Sequence, residues 1–192
     1  MIESIYILMP AYNESEVIDN TLNSLKPYFK NIVVVNDGST DDLEKKLLAH
    51  DVTIINHKIN LGVGAAAQTG FEYILNNTNA LGVITFDADG QHSPEDASKF
   101  AKEILECEEE IIFGTRFLGH QQNIPFIKRL VLIIVNKITN HFTGILLTDA
   151  HNGMKAFKIG AMKKIELELS GYAYESELIM KISNKKITYK EM

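Results

Sequence analysis

Asp87-Ala88-Asp89-Gly90-Gln91-His92 places two carboxylates, an amide oxygen and an imidazole in one short segment, directly after the apolar run Leu81-Gly82-Val83-Ile84-Thr85-Phe86. Carboxylate and amide oxygens are hard ligands, suited to Mg²⁺ or Mn²⁺ rather than to zinc. The apolar run reads as a buried strand of a parallel sheet, and such sheets bind ligands beyond the carboxyl ends of their strands. The competing reading is a polar turn in which an Asp caps the helix that begins near Pro94. His92 has two readings as well, a substrate contact or a turn cap.

The elements that must position this segment are legible as short apolar runs alternating with helical periodicity. Strands are expected near 4–9, 31–36, 52–56, 81–86 and 110–114, and helices near 15–29, 64–76 and 94–107. That alternation predicts a parallel α/β sheet. The first helix has Asn13 as its expected cap, Glu16 at the capping-box position, and an apolar face of Val17, Ile18, Leu22, Leu25 and Phe29. Tyr174-Glu175-Ser176-Glu177-Leu178 is expected to open a later helix with Leu178, Ile179 and Ile182 as its apolar face. Glu175 and Glu177 stand two apart and therefore do not share a helix face. Gly62 and Gly64 allow close backbone approach and read as packing and turn residues. Ile187 to Met192 alternates like a strand.

The chain of 192 residues is 45% hydrophobic and 23% charged, the proportions of a single globular domain. A net charge of -6 argues against nucleic acid as a partner, since neutralising phosphates requires excess Lys and Arg. The one cysteine, Cys107, falls in the pattern Phe100, Ile104, Leu105, Cys107 and reads as a packing residue, which fits a reducing cytoplasm. No leader-like pattern precedes the first strand, so a cytoplasmic placement is expected. Residues 125–147 are strongly apolar, but Lys128, Arg129, Asn136, Lys137, Asn140 and His141 interrupt them, and a bilayer crossing needs about 20 predominantly apolar residues. Two readings stand for this stretch. It is a core-facing helix pair, or an interfacial segment at the inner face of a membrane whose Lys and Arg meet anionic headgroups.

Three more polar clusters fall at predicted strand ends: Pro10-Ala11-Tyr12-Asn13-Glu14, Asn36-Asp37-Gly38-Ser39-Thr40-Asp41-Asp42 and Gly114-Thr115-Arg116. Each has a plain structural reading, with Asn13 and Asp41 as caps, Asp37-Gly38 as a turn and Arg116 as a surface charge. On one rim, together with Asp87 to His92, they offer what a nucleoside diphosphate needs. Tyr12 can pack against a base, Asp37 can accept from a base or ribose donor, and a metal held by Asp89 can bridge phosphates.

The ordered set of blocks resembles glycosyltransferase family 2, with its GT-A fold, and within it the dolichyl-phosphate mannose synthase group and related bacterial polysaccharide enzymes. The blocks are Pro10 to Glu14, Val35 to Asp41, Asn60-Leu61-Gly62-Val63-Gly64-Ala65, Asp87 to His92, Gly114 to Arg116, and Thr148-Asp149-Ala150-His151-Asn152-Gly153-Met154-Lys155-Ala156. They span nearly the whole chain. The resemblance implies a Rossmann-like, mostly parallel central sheet flanked by helices. It implies that Pro10, Ala11, Tyr12, Glu14 and Asp37 surround the nucleoside, with Asp87 and Asp89 as the Asp-x-Asp element. Asp89 and Gln91 would be the direct ligands of Mg²⁺ or Mn²⁺, and Asp87 a supporting carboxylate. Asp149 is implied near the transferred sugar as a catalytic or acceptor-orienting carboxylate, its plain alternative being a helix cap. Arg116 is implied to assist the departing diphosphate.

Relatives carry a carboxylate near Glu175 and Glu177, and Glu177 fits that place better. The donor would be a nucleotide sugar, the acceptor a polyprenyl phosphate or a glycan, and the outcome inversion at the anomeric carbon. A sugar hydroxyl acceptor would need a base, whereas a lipid phosphate is already anionic near neutral pH. The His151 to Lys155 block is more similar to bacterial surface-polysaccharide enzymes than to the mannose synthases. Relatives usually continue beyond the position matching Met192, so a C-terminal truncation is expected. Two other functions compete. A sugar-phosphate nucleotidyltransferase would carry a Gly-rich basic loop where Pro10 to Glu14 stands, and a noncatalytic nucleotide-binding module would bind without turnover.

Overall fold

The computed structural model describes residues 2–115, 140, 143–149, 152–171 and 173–192. Strands β1 (Ile5–Ala11), β2 (Asn31–Asn36), β3 (Thr53–Asn56), β4 (Gly82–Thr85), β5 (Ile111–Phe113), β6 (Lys155–Lys158) and β7 (Tyr189–Glu191) form one seven-stranded sheet in the order β3-β2-β1-β4-β6-β5-β7. All pairs are parallel except those of β6, which runs antiparallel to both β4 and β5. The helices are α1 (Ile18–Leu25), α2 (Leu43–Leu47), α3 (Val63–Asn77), α4 (Pro94–Glu106), α5 (Ile159–Met162) and α6 (Ala173–Asn184). The expected α/β architecture is present.

Period-two alternation explains how the sheet is covered on both faces. In β1, Ile5, Ile7, Met9 and Ala11 pack toward α1 and α4, while Leu8 packs toward α3 and α6. β2 divides in the same way, with Ile32 and Val34 on the first side and Val33 and Val35 on the second. Phe157 of β6 is 1% exposed and meets Phe71 of α3 edge to face at 5.4 Å. Burial of one such side chain is worth about 1.5–3 kcal/mol.

The element ends show three departures from expectation. Helix α1 starts at Ile18 rather than near 15, with Val17 as its cap and no side-chain cap bond. Asn13 sits at φ 56°, and its Oδ1 accepts from Thr40 N at 2.8 Å, so its amide is committed to the neighbouring loop and not to the helix. Ser93, not an Asp, caps α4 by accepting from Asp96 N at 3.2 Å. Strand β6 was absent from the sequence expectations. Lys at both ends hides it from a hydrophobicity pattern, and Lys155 is buried only because α6 supplies a partner.

Cys107 is a free thiol packed against the α4 side of the core, and burial raises its pKa. Among the described residues, no helix is long and apolar enough to cross a membrane. Most of residues 125–147 lie outside the described residues, so the choice between core and interfacial helices falls there too.

Candidate active site

At the carboxyl ends of β1, β2 and β4 opens a cleft of about 560 Å³. Pro10, Ala11, Tyr12, Glu14, Asp37, Asp87 and Asp89 all contribute to its wall, along with Asn60, Gly62, Val63, Ala66, Ala88 and Gly171. The sheet brings these segments together because parallel strands end on the same rim, and the loops that follow are then laced to one another. Asn13 N donates to Ser39 Oγ at 2.9 Å, Ser15 N to Asp41 Oδ2 at 2.9 Å, and Lys46 Nζ to Ser15 O at 2.6 Å. Asp41 Oδ1 also accepts from Leu43 N at the start of α2.

Asp37 follows β2 and is 2% exposed. Its Oδ1 accepts from Leu61 N at 3.0 Å and its Oδ2 from Gly62 N at 2.7 Å, so it moors the loop that enters α3. Gly62 stands at φ 95°, and a Cβ there would lie 2.6 Å from Gly171 N. A Cβ on Gly64 would lie 2.2 Å from Leu169 O. Both glycines are the packing and turn residues the spacing suggested. Tyr12 is 44% exposed and lines the cleft.

The acidic end of the cleft has a supporting layer. His92 Nε2 donates to Asp87 Oδ2 at 2.7 Å, and its ring packs on Phe86 at 5.4 Å. His92 therefore holds the Asp87 carboxylate in place. Burial pushes the Asp87 carboxyl up, but the His92 hydrogen bond and charge, with Lys155 nearby, hold it below the ordinary value. Glu14 is raised by burial first and then by the charges of Asp89, Asp41 and Asp87. Asp89 Oδ1 accepts from Gln91 N at 2.9 Å, which folds the turn back on the carboxylate; the Gln91 side chain is exposed and outside the cleft wall.

Among the described residues no three His, Cys, Asp or Glu side chains converge as a complete metal cage. The donor set fits an ion of the Mg²⁺ or Mn²⁺ class, which typically takes one or two carboxylates and completes its shell with water and substrate phosphate.

Asp149 is fully buried and outside the cleft wall; its N–H donates to Glu191 Oε1 at 3.2 Å. Arg116 lies outside the described residues. The two carboxylates of α6 take different partners. Glu177 accepts from Glu168 N and Leu169 N and pairs with Lys181 at 2.9 Å, so it fastens a loop. Glu175 instead turns inward to Lys155, beside the Asp87 layer. Burial, then the charges of Glu175 and Asp87, raise the Tyr174 hydroxyl well above its ordinary pKa. Lys155 and Glu175 were not singled out as a pair from sequence. A charged residue inside the Gly153 to Ala156 block was the available signal, but its partner stands on a distant helix.

A cleft with paired carboxylates at the carboxyl ends of a mostly parallel, helix-flanked sheet is the architecture of the GT-A class of protein. The family model for glycosyl transferase family 2 matches residues 6–166, and the chain belongs to that family and is a glycosyltransferase. It is 32% identical to the UDP-N-acetylglucosamine--dolichyl-phosphate N-acetylglucosaminyltransferase of Methanococcus voltae, over 90% of this chain and 76% of that one. It is 28% identical to the polyprenol monophosphomannose synthase of Mycolicibacterium smegmatis, over 93% of this chain and 71% of that one. Its fold matches glucosyl-3-phosphoglycerate synthase from Mycobacterium tuberculosis, solved with Mn²⁺, UDP and glucosyl-3-phosphoglycerate. That match has a TM-score of 0.73 and 17% identity, over 98% of this chain and 69% of that one.

Proposed function

We propose that this glycosyltransferase moves a sugar from a nucleoside diphosphate to a polyprenyl phosphate, with a divalent cation and inversion at the anomeric carbon. The observation that carries the reading is the cleft itself, which joins an exposed Tyr12 and a moored Asp37 to the carboxylates of Asp87 and Asp89. The polyprenyl-phosphate acceptor is supported by the names of the Methanococcus and Mycolicibacterium relatives.

In this reading Tyr12 and Pro10 pack on the base, and Asp37 accepts from a donor group on the base or ribose. Asp89, with the Gln91 amide oxygen, would hold Mg²⁺ or Mn²⁺, and Asp87 would support it through His92. The ion supplies charge stabilisation for the departing diphosphate. Glu14 crowds the carboxylate cluster and adds negative potential for a cation. Arg116 would meet the diphosphate. An anionic phosphate acceptor needs no base, so the buried Asp149 would act by orienting the acceptor side. Work at a membrane surface follows from a lipid acceptor.

The test is calorimetric titration of UDP and GDP with Mn²⁺ into the wild type and Asp89→Ala, followed by transfer of labelled sugar to polyprenyl phosphate in detergent. Metal-dependent binding lost in a folded Asp89→Ala, and label carried into the lipid phase, are the expected results. Binding with unchanged metal dependence in the variant sinks the metal assignment, and label found only on a free glycan sinks the acceptor.

A further inference from the structure

His57 stands directly after β3, with its side chain 10% exposed and a hydrogen bond at each ring nitrogen. Nδ1 lies 2.7 Å from Asp37 Oδ1, and Nε2 lies 2.9 Å from Thr69 Oγ1 on α3. Its backbone N–H donates to Asn36 O at 2.9 Å, which fixes the main chain as well. An ionised carboxylate only accepts, so Nδ1 carries the hydrogen, and in the neutral ring Nε2 accepts from the Thr69 hydroxyl.

The surroundings of Asp37 give this contact a functional meaning. A carboxylate offers about four acceptor positions. Oδ1 takes His57 Nδ1 and Leu61 N, and Oδ2 takes Gly62 N. One position, on Oδ2, is left for a ligand in the cleft that Asp37 lines. Without His57 the Oδ1 side loses its strongest tether, and the carboxylate gains freedom to rotate about its last torsion, which is broad for Asp.

We propose that His57 is a positioning residue for nucleobase recognition: by pinning Asp37 Oδ1 against α3 it presents Oδ2 to a ring N–H of the base. The proposal rests on the nucleotide reading of the cleft. It selects bases with a ring N–H, which uracil and guanine carry and adenine and cytosine lack. His57 does not line the cleft, so its effect is transmitted through Asp37.

The experiment is titration calorimetry with Mn²⁺ on the wild type, His57→Ala, His57→Asn and Thr69→Val, each checked for folding by thermal unfolding. The ligands are UDP, its N3-methylated analogue, GDP, its N1-methylated analogue, and inorganic pyrophosphate. In the wild type, methylation of the ring N–H weakens the preferred nucleotide about tenfold, the worth of one hydrogen bond to a charged group. His57→Ala loses a similar factor for the unmethylated nucleotide, loses nothing further on methylation, and binds pyrophosphate as the wild type does. His57→Asn, whose Nδ2 can replace the Nδ1 donor, keeps most of the affinity, and Thr69→Val shows a smaller loss of the same kind. Equal losses for nucleotide and pyrophosphate in a folded His57→Ala overturn the proposal, as does unchanged nucleotide affinity. A wild type that binds UDP and its methylated analogue alike removes the base contact of Asp37. A wild type that binds neither UDP nor GDP removes the nucleotide reading itself, and the proposal with it.

Discussion

Lys155 Nζ lies 2.6 Å from Glu175 Oε2, with the two side chains 1% and 10% exposed. The contact is ionic and lies outside hydrogen-bond geometry, which leaves Oε2 without a hydrogen-bond donor; Lys155 Nζ donates instead to Asn152 O at 2.5 Å. The pair ties β6 to the first turn of α6 immediately behind Asp87. Removing one partner of a buried pair strands the other charge, which costs more than the pair itself contributes.

Lys155→Met is therefore expected to destabilise the protein by about 3–5 kcal/mol, the range for breaking a buried pair. The double variant Lys155→Met with Glu175→Leu should recover much of that loss, because a buried pair replaced by apolar groups is often neutral. Urea unfolding of both variants measures the two values. Equal destabilisation of the single and double variants would show that the charge pairing is not the source.

Gly153 leaves the space that the Asp87 carboxylate occupies: a Cβ there would lie 2.1 Å from Asp87 Oδ2. Gly153→Ala must displace the Asp87 carboxylate, which as a half-exposed side-chain end can move at little cost to the fold. Metal-dependent nucleotide binding should fall with that displacement, since Asp87 stands on the cleft. Binding by Gly153→Ala at wild-type affinity would show that Asp87 has no part in holding the ligand.

The acid limit of stability should depend on His92. The Asp87 carboxyl is raised by burial and lowered more by His92 and Lys155, with a net depression. A carboxylate whose folded pKa lies below its unfolded value, about 3.9, contributes stability that is fully present above that pH. It loses that contribution as the pH falls through the folded value. His92→Phe preserves the ring packed on Phe86 and removes the hydrogen bond, so the acid limb of unfolding free energy against pH should move to higher pH. An acid limb that stays in place would count against the pair.

Glu14 has the opposite sign. Its pKa is raised by burial and by Asp89, Asp41 and Asp87, so its ionised form opposes folding once the pH exceeds the ordinary glutamate range. Glu14→Gln should raise the melting temperature of the metal-free protein at neutral pH by about 2 °C or less, the scale of a partly solvated charge interaction. The gain should disappear below about pH 4, where both folded and unfolded carboxyls are protonated. Addition of Mn²⁺ should narrow the difference, because a cation relieves the same repulsion. Differential scanning calorimetry at two pH values, with and without Mn²⁺, measures all three effects.

The alternating apolar runs were enough to predict the strands β1 to β5, the helices α3 and α4, and the class of sheet, because side-chain periodicity is a local property. The blocks from Pro10 to Glu14, Val35 to Asp41 and Asp87 to His92 were also readable, since parallel strands must end on one rim. Only the tertiary structure decided who partners whom. It moved Asn13 from helix cap to loop brace, made Ser93 the cap of α4, and inserted β6 between β4 and β5 in the reverse direction. It turned Glu175 inward to Lys155, and it set His57 behind Asp37. All of these but the Ser93 cap depend on a partner more than ten residues away. Local sequence determines which groups are available, whereas burial and three-dimensional proximity determine which of them are satisfied, and by whom.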